Sequence, residues 1–243
     1  MKSFNVSNDG YTFKSRTVKL GAVFPLDRKD YEESSMEEGQ EGTARKETDL
    51  VINMLGEKVA LGPLRRELIP LYQRWDNDFA VLRTLHIPRP STYEEAQAGY
   101  EQLVAAERKR HVVYFTIYEK TNFQPIGTTA LDDINYRDRT ASFGLLIGEV
   151  AFRGCGYGTE TTRLMLDYAF LALGLHNISL TVWEYNLAGQ RAYAKAGFRE
   201  FGRQRQAKFM GGKLWDIVYM ECISTEFASP LLYRILVPDT HRA

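Results

Sequence analysis

The segment Arg153-Gly154-Cys155-Gly156-Tyr157-Gly158-Thr159 carries the most specific chemical signal in the chain. Glycines at alternate positions permit positive φ and let a ligand approach the backbone closely. A strand-like run precedes the segment and a helical pattern follows it, so amides without helical partners converge at the positive end of a helix dipole. Such a turn can cradle phosphate, and Arg153 adds a charge suited to phosphate oxygens. Spacing excludes two other nucleotide loops. A dinucleotide fingerprint needs a third glycine where Thr159 stands, and the Gly-Lys-Ser/Thr of a P-loop is absent.

The elements that would hold this loop follow from periodicity. Val59-Ala60-Leu61 is a short strand with a turn at Gly62-Pro63, and Leu64, Leu68, Leu71, Tyr72 and Trp75 fall at helical spacing. Ser91-Thr92-Tyr93-Glu94 matches a capping box with Ser91 as cap and opens a helix to about Lys109. Three strands follow, Val112 to Tyr118, Gln124 to Leu131 and Ala141 to Ile147, whose short connections make an antiparallel meander. After the loop come a helix over Thr159 to Leu173 stopped by Gly174, a strand Asn177 to Trp183, and a helix Leu187 to Ala196 ended by Gly197. Two strands, Phe198 to Arg205 and Leu214 to Ile223, close the pattern around Gly211-Gly212. This order describes an α/β fold, a mixed and mostly antiparallel sheet flanked by helices on both faces.

Two motifs together carry a family resemblance. Arg153-Gly154-Cys155-Gly156-Tyr157-Gly158 fits Arg-x-x-Gly-x-Gly/Ala, and about thirty residues later comes Asn186-Leu187-Ala188-Gly189-Gln190-Arg191-Ala192-Tyr193-Ala194-Lys195-Ala196-Gly197-Phe198. The pair resembles the GNAT superfamily of N-acetyltransferases. The Gly211-to-Asp216 hairpin and the Leu64-to-Asp78 helix are similar to the branch acting on ribosomal-protein N-termini, polyamines and small amines. The resemblance implies that acetyl-CoA is the co-substrate, with its pyrophosphate on Arg153, Gly154, Cys155, Gly156, Tyr157, Gly158 and Thr159. It implies that Leu145, Leu146 and Ile147 bond the pantetheine like an added strand. It also implies that Asn186 touches the cofactor arm and that Tyr193 protonates the departing sulfur.

Acetyl transfer to a primary amine, of a small molecule or a peptide N-terminus, needs a neutral nucleophile, oxyanion donors and an acid for the thiolate. Tyr193 is also good core material and Asn186 is equally a helix cap. Many relatives carry a glutamate on the strand before the loop where this chain has Ser142, so the base is open. Glu184 is the first candidate, and Asp132 or Asp133 acting through water are others. Direct transfer requires no covalent intermediate, so Cys155 is read as a small loop residue. Trp75, Tyr93, Tyr114, Phe115, Tyr136 and Trp215 are mostly core candidates, although Trp75 with Asp76 and Asp78 lies where relatives close over the acceptor. The competing readings are a transferase for a longer acyl-CoA and a catalytically inactive acyl-CoA-binding regulatory module.

Composition bounds the rest. Lys plus Arg number 31 and Asp plus Glu 31, so no net field draws nucleic acid or an anionic membrane. No apolar run reaches the roughly eighteen residues of a membrane span, and the first residues lack a secretory core, so a cytoplasmic protein is expected. Cys155 and Cys222 make no framework, and His86, His111, His176 and His241 lack ligand spacing; no metal is expected. Residues 1–50 read as an acidic, polar extension with a strand-like stretch at Thr17 to Phe24, 51–224 as the catalytic domain, and 225–243 as a tail. A homodimer is compatible with the sequence.

Overall fold

The computed structural model describes residues 50–85 and 90–236. The extension over 1–49 therefore lies outside the described residues, as do His86 and His241. Eight strands form one sheet in the order β1-β2-β3-β4-β5-β6-β8-β7, with ranges β1 Met54–Leu55, β2 Val59–Pro63, β3 Val113–Glu119, β4 Pro125–Asn135, β5 Thr140–Ile147, β6 Asn177–Trp183, β7 Arg199–Met210 and β8 Lys213–Ile223. Every neighbouring pair is antiparallel except β5 and β6. The helices are α1 Ile69–Asp76, α2 Phe79–Leu82, α3 Tyr93–Arg108, α4 Tyr157–Asp167, α5 Leu187–Ala196 and α6 Leu232–Leu236.

Alternation along the strands divides the side chains between two cores. Phe115, Ile117, Leu131, Phe143, Ile178, Leu180 and Val182 point to the main core, where Leu164, Met165, Leu166 and Ala169 of α4 and its extension meet them. Leu146 points to the other face and packs with Trp75 and Val81 of α1 and α2. The sheet is thus covered by helices on both faces, the architecture expected from the strand and helix order.

Several boundaries differ from the sequence expectation for identifiable reasons. Gly62 and Pro63 continue β2 instead of turning, because both pair with β3, and α1 begins only at Ile69 after a 3-10 turn. The capping box sits one residue later than expected. Thr92 is the cap, its hydroxyl accepting from Glu95 N at 3.2 Å while Thr92 N donates to Glu95 at 3.1 Å. Helix α4 passes into a π turn over Tyr168–Ala172, and β7 runs to Met210 through a bulge in which Gln206 takes φ 52°. Gly211 and Gly212, at φ 60° and 77°, make the tight hairpin turn that only a pair with positive φ allows. Part of the tail is docked: Leu231 N and Leu232 N donate to the buried Asp167 carboxylate at 2.9 and 2.7 Å.

Candidate active site

Strands β5 and β6 pair only over Thr140–Ser142 and Asn177–Ser179, then separate. Beyond Ser142 and Ser179 the sheet is split by a wedge-shaped gap whose wide end faces the glycine loop. On the other side β5 stays paired to β4 as far as Ile147. Gly148 N donates to Ile126 O at 2.9 Å, so the alternation of an antiparallel ladder turns the main-chain groups of Leu146 toward β4 and those of Leu145 into the gap. Of the three strand residues expected to bond pantetheine, Leu145 offers a free edge, Leu146 is engaged with β4, and the Ile147 carbonyl is already taken.

Its partner is Arg153, whose Nε and Nη2 donate to Ile147 O at 3.0 and 2.9 Å while Nη1 donates to Ala80 O at 2.8 Å. The guanidinium is thereby committed to carbonyls that fix the end of β5 against α2. The loop itself has the geometry that its composition implies. Gly154 and Gly156 stand at φ 76° and 93°, and Gly156 is the N-cap of α4, so the amides of the first turn of α4 have no helical acceptor and face outward. A Cβ on Gly158 would stand 3.3 Å from Leu145 Cδ2, which shows how closely loop and strand approach. A long acyl-carrier with an amide-rich arm and an anionic end fits this track: a free strand edge leading to a ring of unpaired amides. No cluster of His, Cys, Asp or Glu among the described residues is placed to hold a metal ion.

One residue that sequence reasoning passed over also lies at the loop. Lys58, at the turn into β2, donates from Nζ to Cys155 O at 3.1 Å. Cys155 is exposed.

Tyr193, on α5, lies at the narrow end of the gap. Its ring meets Phe143 edge-on at 6.1 Å and Phe198 at 6.1 Å, and its hydroxyl has no hydrogen-bond partner among the described residues. Desolvation alone pushes the phenol up to about 12. Asn186 is the cap of α5, accepting from Gly189 N at 3.0 Å, and a Cβ on Gly189 would crowd its side chain.

Glu184 is held away from the narrow end. Its carboxylate accepts from Asp216 N at 3.1 Å and lies 3.6 Å from Arg203. It stands five positions beyond Ser179, roughly 16 Å along a strand. Asp132, by contrast, is the cross-strand partner of Ser142 and shares its face of the sheet. It is 4% exposed, accepts from Tyr114 Oη at 2.8 Å, and is pushed up to about 6 by burial first, with Asp133 adding to the rise and the Tyr114 bond opposing it. Burial and the Asp132 charge raise Tyr114 as well. Asp133 is exposed, in the bulge that follows Asp132, at φ 51°.

On the Asp132 face, the chain from α2 onward straddles the gap. Arg153 holds Ala80 on the β5 side, while Trp183 Nε1 donates to Leu85 O and Tyr185 Oη to Arg83 O, both at 2.7 Å, on the β6 side. Trp75 braces the same region: it is buried, donates to Glu149 at 2.9 Å, and lies so close to Gly148 that a Cβ there would overlap the indole. Trp75, Tyr114 and Phe115 are thus core residues, Tyr93 and Tyr136 are exposed, and Trp215 is half-buried against Tyr185. Asp76, half-buried with no hydrogen-bond partner among the described residues, is pushed up to about 6 by desolvation, and Asp78 caps α2 by accepting from Ala80 N at 2.8 Å.

A spermidine N(1)-acetyltransferase of Vibrio cholerae is 27% identical over 136 residues, which are 56% of this chain and 76% of that protein. An N-acetyltransferase, YokL, from a Bacillus subtilis prophage is 25% identical over 175 residues, covering 71% of this chain and 93% of its own. The crystal structure of the Vibrio cholerae spermidine N-acetyltransferase with CoA and spermine shares the fold, with a TM-score of 0.64 at 23% identity over 70% of this chain and 98% of that one. The sequence matches the profile of the acetyltransferase (GNAT) domain over residues 58–199, so the chain belongs to the GNAT N-acetyltransferases, enzymes that move an acetyl group from acetyl-CoA to an amine.

Proposed function

We propose that the acceptor is a small cationic amine of the polyamine type, and that transfer takes place at the narrow end of the β5/β6 gap. The observation that carries this is the pairing of two groups across the sheet at that point. Tyr193 stands beside Phe143 on one face, and Asp132 stands opposite Ser142 on the other.

The acetyl-CoA arm lies along Leu145 and the diphosphate on the amides of Gly156, Tyr157, Gly158 and Thr159, with Gly154 and Cys155 shaping the turn. The amine enters on the face of Asp132, whose carboxyl suits a cation, and the Vibrio cholerae relative is a spermidine acetyltransferase. Asp132 takes the amine proton through a water beside Ser142, whose short side chain leaves room for one. The neutral nitrogen then attacks the thioester carbonyl and sheds its second proton through the same water to solvent, and the C–S bond breaks to a thiolate as Tyr193 donates a hydrogen bond to the departing sulfur. Glu184 braces Asp216 and Arg203 at the far end of β6 and carries no proton in this scheme. Asn186 orders the start of α5 beside the arm. Arg153 sets the geometry of the slot through Ile147 and Ala80.

A second copy of the chain would sit on the β7 edge, where Phe201, Phe209 and neighbouring Leu214 are exposed. We place the enzyme in the cytoplasm; no helix among the described residues is long and apolar enough to cross a membrane. The test is thiol release from acetyl-CoA with spermidine, spermine, aminoglycosides and peptides as acceptors. Preference for the polyamines supports the proposal, and preference for peptide N-termini overturns it.

A further inference from the structure

We propose that Lys58, and not Arg153, is the cationic side chain that binds the diphosphate of the acyl donor. The inference rests on the reading that the glycine loop holds that diphosphate, and it assigns the charge within it.

Three observations bear on the choice. All three nitrogens of Arg153 are occupied by carbonyls, two contacts to Ile147 O and one to Ala80 O, and moving the guanidinium to an anion would release both strand end and α2. Lys58 reaches the loop from the opposite side. Its Nζ donates to Cys155 O at 3.1 Å and lies 3.5 Å from where a Cβ of Gly156 would stand, beside the amides of the cap and first turn of α4. The side chain is exposed, so an anion can approach it without desolvating a buried cation. A neutral carbonyl is a weaker partner for an ammonium than a diphosphate, so exchange of one for the other is favourable.

The third observation is that the Lys58 backbone is fixed from both sides. Its N–H donates to the Glu160 carboxylate at 3.0 and 3.1 Å, and Glu57 N donates to the same carboxylate. Its carbonyl accepts from Lys120 N at 2.9 Å, and Gly56 N closes the turn on Val59 O at 2.8 Å. Gly56 is required there because a Cβ would run into Glu160. Glu160 belongs to the first turn of α4, so the element that presents the amides also positions the lysine. The acid that would otherwise repel an anion at this helix start is turned to the Glu57 and Lys58 amides. Glu160 is a positioning residue in this arrangement.

Calorimetric titration of the wild type, Lys58→Met and Lys58→Arg with CoA, dephospho-CoA and pantetheine tests the assignment, pantetheine being measured by competition. Loss of one charge-assisted hydrogen bond should weaken CoA and dephospho-CoA alike in Lys58→Met by on the order of tenfold. Pantetheine binding and the melting temperature without ligand should stay unchanged, and Lys58→Arg should recover most of the affinity. Unchanged CoA binding by Lys58→Met overturns the proposal. So does an equal loss for pantetheine, which would mean that the lysine acts through folding, or a loss confined to CoA, which would place it on the 3′-phosphate. If the wild type itself discriminates none of the three ligands, the reading of the loop falls, an outcome separate from failure of the Lys58 assignment.

Discussion

Replacing Tyr193 with Phe removes one oxygen from a ring that packs edge-on against Phe143 and Phe198. Because the hydroxyl bonds to no described residue, the change leaves no orphaned partner, and stability should move by less than about 0.5 kcal/mol. The rate is a different matter. The phenol sits near 12, whereas a thiol leaves with a pKa of roughly 8.5, so complete proton transfer to the thiolate would be uphill by about 5 kcal/mol at 1.36 kcal/mol per unit. In the proposed mechanism Tyr193 therefore acts as a hydrogen-bond donor to charge developing on sulfur. A bond to a charged group is worth about 1.5–3 kcal/mol, so the Phe variant should be slower by roughly 10- to 150-fold. Single-turnover transfer from preloaded acetyl-CoA, followed by thiol release and set beside the melting temperature, measures this. A rate within about threefold of wild type removes Tyr193 from the chemistry, and a loss beyond about 10³-fold would require the full proton transfer argued against here.

Asp132→Asn should slow transfer by about 10²-fold or more while making the protein more stable at pH 7. The native carboxyl keeps its proton up to about 6 and the unfolded chain releases it near 3.8, so wild-type stability falls between about pH 4 and 6 by up to ~3 kcal/mol, a fall the Asn variant escapes. Chemical denaturation of both proteins at pH 3.5 and 7 reads the difference; Asp76 titrates in the same window, so only the comparison between variants counts. Gly156→Val imposes a branched side chain at φ 93° on the cap of α4 and should cost at least tenfold in acetyl-CoA affinity by calorimetry, with about 1–3 kcal/mol of strain. Arg153→Ala should lower the melting temperature and weaken CoA and pantetheine alike, since it frees Ile147 O and Ala80 O; a selective loss for CoA would show a direct phosphate contact. Phe209→Glu on the exposed hairpin should shift the sedimentation coefficient to that of a monomer.

What the sequence made legible were features with a local cause. Gly154 and Gly156 signal positive φ wherever they fold, and Gly197 ends α5 at φ 120° as its position after the apolar run implies. Ambiguity began where two residues could do one job. Ser91 and Thr92 are both competent caps with Glu94 and Glu95 three residues on, and only the packed helix selects Thr92 with Glu95. The reach of β7 was hidden because its bulge between Gln204 and Lys208 breaks the alternation that marks a strand.

The site's remaining parts depend on register and long-range approach. That Asp132 lies opposite Ser142 follows from pairing of β4 with β5, which a one-residue slip would reverse. The choice between Glu184 and Asp132 could not be made from strand ends alone, since it depends on which strand pairs with which: Asp132 lies on β4, one strand away from the gap, and Glu184 just past the end of β6. Lys58 meets Cys155 across 97 residues, and Arg153 reaches Ala80 across 73, contacts that no local pattern announces. The motif placed a cation next to phosphate chemistry; the fold turned that cation inward and brought another to the loop.

The central claim is direct transfer from acetyl-CoA to a cationic amine at the narrow end of the gap. Mixing excess full-length protein with labelled acetyl-CoA, with and without spermidine, and following label in amine and protein by mass spectrometry tests it most directly. Label should pass to the polyamine only when it is present, in step with free thiol, and the protein should stay unlabelled throughout. Label on Cys155 or any other side chain before the amine is added, or CoA binding with no transfer to any amine, would contradict it.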